Sequence, residues 1–541
     1  MENTVSAAKN AQNLPPSIAS ELAQLREENG RLKQRVAWFE RQVFGQKSEK
    51  RSVENPHQGS LLGSTVKTKP VAEDKVRVSY LRGKAKKRRP GDCATDAGLR
   101  FSEDVPVEIV KVTPPELSGD DADQYEVIDT KVSHKLAQRP ASYVVLQYEI
   151  PVFKRKDALT TGGNSSALVT TAMPDQVFDG SIADVSVLVG LLVDKFCYHL
   201  PLHRQHQRMA QAGVTLARST LTNWIRRSIE LLRPVVEAQL QHVLHSKILA
   251  MDETPIKAGK KHKGKMQQAY FWPIYGDDHE VVFTFSNSRA RKHIEQVIGK
   301  SFEGTLLTDG YAAYARYAQQ SEGVTHAQCW VHTRRKLIEA EESDPEAVSE
   351  ALEMIARLYQ VEKHIRIQSL QSEDKRQCRL NSSKPVVDEF FAWCTAQCHR
   401  VELTPTHPLS KALRYALNRE QALRVFLEDP DLPMDTNHLE REIRPVPLGR
   451  RNWLFCWTEL GAEHVGIIQS LISTCKLQGV NPHAYLTDVL QRVAIHPSSR
   501  VTELTPRVWR ERYAGNPMKS VLDRSTPLCQ LDAPQRSHYA H

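Results

Sequence analysis

From residue 17 onward, apolar side chains fall at Ile18, Leu22, Leu25, Leu32, Val36, Phe39 and Val43. With Asn29 counted into the seam, the steps alternate four and three. That period predicts a coiled coil over residues 17–45, and an amide at a seam position favours a parallel dimer in one register. An amphipathic helix packed on its own chain would show the same stripe. Gly45 is a helix stop. Residues 1–16 are polar and read as a disordered start. Residues 46–100 lose periodicity and read as a basic linker. Within it, Arg82-Gly83-Lys84-Ala85-Lys86-Lys87-Arg88-Arg89 could follow a phosphate backbone or be a solvated charge run.

Alternation returns in residues 101–160, a β-rich segment with strand-like runs at 105–110 and 143–150. Residues 181–240 turn helical. A short helix over 202–212, a turn at Gly213 and a second helix capped by Ser219-Thr220 make a helix-turn-helix outline, with Arg226 and Arg227 on its face. Residues 245–335 predict strands at 248–251, 269–275, 280–286, 305–308 and 324–329, with helices at 289–298 and 311–318. Three strands in a meander, followed by two alternating with helices, is the order of an RNase H-like mixed sheet. A charged helical insertion over 336–428 interrupts that core, and residues 429–495 complete it. Residues 496–541 read as a C-terminal element and tail. The fold class is therefore multidomain α/β.

Two of the apolar runs end in an aspartate, Asp252 after Ile248-Leu249-Ala250-Met251 and Asp309 after Thr305-Leu306-Leu307-Thr308. The carboxyl end of a strand is where an α/β sheet presents functional side chains, and in the expected sheet these two strands are neighbours. Taken singly, each aspartate could be a turn or cap residue. A third acid, Glu440, sits in Asn437-His438-Leu439-Glu440-Arg441-Glu442-Ile443-Arg444-Pro445, where Glu442 would face the other way on a helix. Three carboxylates gathered together suit two Mg²⁺ (or Mn²⁺) ions acting on a phosphodiester, so a DNA-processing enzyme is expected. Glu440 among arginines could also be a structural ion pair.

Basic residues surround these acids. Lys257, Lys260, Lys261, Lys263 and Lys265 fall in the expected loop after Asp252 and would hold a polyanion there, or merely blunt a loop. Arg441 and Arg444 share a helix face, and Arg450 and Arg451 follow an expected Pro-Val-Pro-Leu-Gly turn. All four could clamp DNA phosphates. Trp453 could stack on an unpaired base or be core. The run His326-Ala327-Gln328-Cys329-Trp330-Val331-His332 offers too few ligands at too short a spacing for structural zinc, and no zinc is expected.

The net charge of +9 is mild for 541 residues, so its clustering says more than its total. Residues 1–17 are polar, with no apolar stretch after a basic start, so no signal peptide is expected. The longest apolar run, 185–193, is about half a membrane span and is flanked by Asp184 and Asp194. Nine cysteines without paired spacing suit a reducing compartment. A soluble intracellular protein without membrane partners is expected.

The motifs Phe44-Gly45-Gln46-Lys47-Ser48-Glu49-Lys50, Asp252-Glu253-Thr254-Pro255, Thr308-Asp309-Gly310-Tyr311-Ala312-Ala313-Tyr314, Cys329-Trp330-Val331-His332-Thr333-Arg334-Arg335-Lys336 and Gly449-Arg450-Arg451-Asn452-Trp453 together resemble the transposase of bacterial insertion sequence 66. The resemblance extends over nearly the whole chain. It implies a DDE-type recombinase with its triad on Asp252, Asp309 and Glu440, and Mg²⁺ as cofactor. It also implies double-stranded DNA partners (terminal inverted repeats and target), two small accessory proteins and a bacterial cytoplasmic, nucleoid-associated setting. Cys329 and His332 would lie close to the site, behind the metal-holding acids. One departure stands out: the family's cysteine-rich zinc-binding segment between coiled coil and helix-turn-helix retains only Cys93 here. Two rivals remain, an RNase H-like nuclease that cuts without strand transfer and a dimeric DNA-binding regulator.

Overall fold

Residues 248–286 supply four of the strands of a six-stranded mixed sheet, with their apolar side chains in its core. The computed structural model describes residues 92–524 apart from 96–97, 103–104, 113–124, 140–141, 156–167, 172, 175, 263–264, 454–455 and 457. The expected coiled coil, the basic arm at 82–89 and the tail beyond 524 lie outside the described residues.

Strands β1 (Asp92–Ala94) and β2 (Arg100–Ser102) begin a small antiparallel sheet. Strands β3 (Val107–Lys111), β4 (Tyr125–Arg139), β5 (Ser142–Arg155) and β6 (Leu168–Val169) form a second sheet, ordered β3-β5-β4 with β6 on β5. β4 is a long strand where sequence patterning marks none, because most of its residues before Lys135 are solvent-facing and carry no alternation.

Helix α1 (Val185–Phe196) is capped by the Asp184 carboxylate, which accepts from the Ser186 amide at 2.9 Å. It is buried almost all round, as its unbroken apolar run requires. Among the described residues no helix is long and apolar enough to cross a membrane. Helix α2 (Leu202–Gln211) ends near Gly213, whose φ of +81° is the left-handed turn expected. The continuation differs from a simple helix-turn-helix. β7 (Val214–Thr215) intervenes and pairs with β2. Helix α3 (Arg218–Val243) then starts without a side-chain cap, so Ser219 and Thr220 lie inside its first turn instead of capping it.

The central sheet contains β8 (Ile248–Met251), β9 (Thr254–His262), β10 (Lys265–Tyr275), β11 (Val281–Ser286), β12 (Gly304–Thr308) and β13 (Val324–Gln328), ordered β11-β10-β8-β12-β13. The β8–β10 and β10–β11 pairs are antiparallel, whereas β8–β12 and β12–β13 are parallel. Every residue of β8 is buried, the signature of a central strand covered on both faces. Helices α4 (Arg291–Ile298) and α5 (Ala312–Gln320) make the crossovers. The expected lysine loop is instead a strand: β9 pairs along β10, with Ile256 and Ala258 buried and Lys257 and Lys260 facing out. Period-two burial was present there, but the lysine density masked it.

A helical block follows: α6 (Trp330–Ile338), α7 (Pro345–Ile367), α8 (Ser372–Cys378), α9 (Lys384–Cys398), α10 (Pro408–Leu417) and α11 (Glu420–Arg424). Its centre is Arg379, fully buried on a π-helical turn. The guanidinium pairs with Glu362 at 2.8 and 2.9 Å and donates to the Phe426, Asp429 and Leu432 carbonyls at 2.7–3.0 Å. It thereby fixes the segment by which the chain returns to the sheet.

That return brings α12 (Asn437–Ile443), α13 (Pro445–Trp453), α14 (Glu459–Leu477), α15 (Pro482–Arg492), α16 (Pro506–Arg512) and α17 (Val521–Arg524). The Pro-Val-Pro-Leu-Gly stretch is the start of α13 and not a turn, since proline is compatible with a helix's first turn. Helix α14 covers the open edge of β11: Ser470 and Thr474 hydroxyls accept the Phe283 and Val281 amides at 2.8 and 3.1 Å. Gly466 permits the approach, because a Cβ there would lie 2.6 Å from the Phe283 carbonyl. An exposed sheet edge is thus closed by side-chain acceptors.

Candidate active site

Strand register sets the first two acids side by side. β8 and β12 run parallel with Leu306 opposite Leu249 and Leu307 opposite Ala250, so the residues just past their ends, Asp252 and Asp309, emerge together. The β10 ladder lapses at the same point. Ile274 pairs with Met251 and Phe271 with Thr254, which puts Pro273, lacking an N–H, opposite Asp252. Asp252 accepts the Glu253 amide at 2.7 Å and Asp309 the Tyr311 amide at 2.8 Å, each through its Oδ1. One oxygen of each of Asp252, Glu253 and Asp309 lies within 4.8 Å of the others.

Glu440 reaches the same cleft from α12. The helix is tied to the end of β13: the Thr436 amide and hydroxyl both donate to the Cys329 sulfur at 3.3 Å, and the Trp330 amide donates to the Met434 carbonyl at 3.2 Å. On its other flank His438 packs edge-on against Tyr275 at 4.7 Å. Tyr359 from α7 holds Asp435 at 3.1 Å. Glu440 Oε1 then stands 3.8 Å from His332 Nε2 and 3.7 Å from Arg335. Glu442 points away, toward Ser473 on α14. Asp252, Glu253, Asp309 and Glu440 line one cleft of ≈ 740 Å³ with Arg289, Tyr311, His332, Arg335, Lys336, Tyr415 and Arg444.

Asp252 is set among charges of its own sign. Burial, then the Asp309 and Glu253 charges, with Glu440 adding less, push Asp252 up to about 8. Glu440 Oε1 and His332 Nδ1 are buried and have no hydrogen-bond partner. Burial lowers the pKa of His332, although the nearby Asp309 and Glu440 charges pull the other way. The grouped oxygens of Asp252, Glu253 and Asp309 fit a hard divalent cation; Glu440 lines the same cleft with an oxygen that accepts no hydrogen bond, but stands outside that 4.8 Å group.

Glu253 is the residue that strand logic hides. Neighbours in a strand face opposite ways, which would send Glu253 out of the cleft; the lapse in the β10 ladder lets both acids turn inward. Its Oε1 accepts from Arg289 Nε at 2.7 Å, with a second bond from the same guanidinium, and its Oε2 accepts from the Tyr314 hydroxyl at 2.7 Å. Arg289, stacked 4.2 Å over Tyr311, is therefore locked at the cleft mouth while remaining half-exposed. The tandem Asp-Glu and the Tyr314 of the second motif were the available signals. Helix α10 closes the far wall: a Cβ on Gly310 would meet the Tyr415 hydroxyl at 2.1 Å, and Arg419 donates to the Gly310 carbonyl at 2.9 Å.

The other candidate residues are distributed unevenly. Arg444 lines the cleft, and Arg441 lines a neighbouring groove of ≈ 1530 Å³. Arg450 donates to the Pro255 carbonyl, and Arg451 is exposed. Trp453 is half-buried against the core. Lys257, Lys260 and Lys265 are exposed on the β9–β10 hairpin and do not line the cleft, while Lys263 and the side chain of Lys261 fall outside the described residues. Arg226 bonds Asn223 at 3.1 Å, and Arg227 stacks 4.1 Å over Phe178.

Residues 180–464 match the Transposase IS66 family, residues 470–507 the IS66 C-terminal element, and residues 31–110 Transposase C of IS166 homeodomain. Among curated proteins, the chain is similar to the uncharacterized protein y4jD of Sinorhizobium fredii, 27% identical over 90% of this chain and 95% of that one. It is also similar to the uncharacterized protein y4hP of the same organism, 28% identical over 72% of each.

Proposed function

The chain belongs to the IS66 family of transposases, and from that premise we propose that it cleaves phosphodiesters at the ends of its element and joins the freed 3′-hydroxyl to target DNA. The observation carrying this reading is the convergence of Asp252, Asp309 and Glu440 on one cleft, with a carboxyl raised to about 8 and a buried carboxylate oxygen that accepts no hydrogen bond. The strand order β11-β10-β8-β12-β13, three antiparallel strands then two parallel ones, supports an RNase H-like core interrupted by the helical block.

Asp252, Asp309 and Glu440 would hold the Mg²⁺ ions. Bound there, such ions lower the pKa of the attacking hydroxyl and neutralise the leaving oxygen. The protein's own part is placement. The paired strand ends set the spacing of the two aspartates, and the Cys329–Thr436 link presents Glu440. Arg289, Arg335, Lys336 and Arg444 line the cleft walls and would grip flanking phosphates. The exposed lysines of the β9–β10 hairpin would extend that grip along the duplex. The heptad seam at 17–45 would pair two protomers so that both element ends are processed together.

The test uses supercoiled plasmid carrying the element's ends. Mg²⁺-dependent nicking by the full chain is expected, falling by about 10³-fold or more in Asp252→Asn while end binding persists. Undiminished nicking by that variant would remove the assignment. Pre-cleaved ends that fail to join target DNA would leave a nuclease in place of a transposase.

A further inference from the structure

A second cluster of ligand-type side chains lies outside the cleft, where α3 ends against the β10–β11 turn. His242 Nε2, in the last turn of α3, stands 2.8 Å from Asp278 Oδ2 and 3.3 Å from Glu280 Oε2. These three atoms fall within 4.8 Å of one another. The turn carrying the two acids is held by α14, whose Gln478 amide donates to the Asp278 carbonyl at 2.6 Å.

The cluster is not satisfied as it stands. Glu280 is 1% exposed, yet neither carboxylate oxygen accepts a hydrogen bond of normal geometry. Arg507, on α16, does not resolve this: its Nε lies 3.7 Å from Glu280 Oε2 and 3.8 Å from Asp278 Oδ2, and is itself buried without an acceptor. Its terminal nitrogen instead sits 2.9 Å from His242 Nε2. That imidazole nitrogen faces a donor and two acceptors, although it can offer only one lone pair or one hydrogen. The local charge is two carboxylates against one guanidinium.

We propose that His242, Asp278 and Glu280 form a binding site for a divalent transition-metal ion of the Zn²⁺ type, distinct from the acid cleft. The donor set is one imidazole and two carboxylates, and it leaves a fourth, solvent-facing position for water. Bonds of about 2.0–2.2 Å in a tetrahedral site put ligand atoms roughly 3.3 Å apart, the separation already found between His242 Nε2 and Glu280 Oε2. An ion there accepts the imidazole lone pair, gives Glu280 its missing partner, and ties α3 to the β10–β11 turn. Arg507 then turns toward Glu511, whose carboxylate it already approaches at 4.0 Å. The expectation of no zinc rests on the His326–His332 run and on the lone Cys93; His242 and Asp278, 36 residues apart, offer no local spacing to read.

The site shares no residue with the cleft, so its fate is independent of the transposase chemistry. Full-length protein is stripped with chelator, exposed to Zn²⁺ in excess Mg²⁺, passed through gel filtration and assayed for zinc by elemental analysis and for its melting temperature. One zinc per chain and a raised melting temperature are expected in the wild type and in Asp252→Asn. His242→Ala and Asp278→Asn, both more than a third exposed and so compatible with folding, should each weaken zinc binding by about 100-fold. A wild type that retains no zinc, or two variants that retain it unchanged, overturns the site and leaves an ion-pair cluster around Arg507.

Discussion

Glu230 on α3 and Asp252 at the end of β8 are both carboxylates withdrawn from water, and burial raises the pKa of each. At Glu230 the bonds from His464 and Arg233 overrule burial and carry it down to about 2. At Asp252 the neighbours are Asp309, Glu253 and Glu440, all of the same sign, and it rises to about 8. Arg379 belongs with Glu230: a fully buried charge given a carboxylate and three carbonyls. The contrast separates two uses of a shielded charge. Where the fold alone needs one, it supplies the partners from within; where it withholds them, the carboxyl stays protonated or, on the proposed function, meets a cation from outside.

Four measurements press on that contrast. The largest effect belongs to Arg379→Ala, which strands Glu362 and three carbonyls and should cost about 3–5 kcal/mol in chemical denaturation. A loss near zero would mean that compensation of this charge holds nothing together. Next, Glu230→Gln should cost about 2 kcal/mol at neutral pH, since Arg233 and His464 lose a charged acceptor. With its folded pKa below 4.5, Glu230 contributes stability above that pH that is lost as pH falls toward 2, so the variant's deficit should vanish in acid.

The third measurement reverses that sign. Asp252 has a folded pKa above its ordinary 3.8, so without metal the wild type should lose stability as pH rises from about 4 to 8. Mg²⁺ should raise the melting temperature most at the upper end of that window, and Asp252→Asn should flatten both trends. A rise of equal size at pH 5 and pH 8 would break the contrast. The smallest effect is at Cys329, whose sulfur accepts two bonds from Thr436. Cys329→Ala should destabilise by about 0.5–1 kcal/mol, with Cys329→Ser recovering part of it. If Cys329 also sets Glu440, cleavage should fall by more than that loss explains.

Residue order along the chain already contains the ends of β8 and β12, the aspartates that follow them and the alternation of strand and helix through residue 328, because periods of 2 and 3.6 residues are local properties of the backbone. It also marks Glu440 as a charged residue on a short helix. Local pattern does not say that the lysine-rich stretch after Asp252 is a strand, since cross-strand pairing with β10 and burial of Ile256 and Ala258 decide it. Nor could it turn Glu253 into the cleft, which depends on a lapse in a ladder with β10. The arrival of Glu440 is the clearest case. It rests on Arg379 fixing residues 426–432 and on Cys329 holding Thr436, contacts made across 47 and 107 residues of chain. Such contacts have no sequence period, and only packing of the helical block against the sheet creates them.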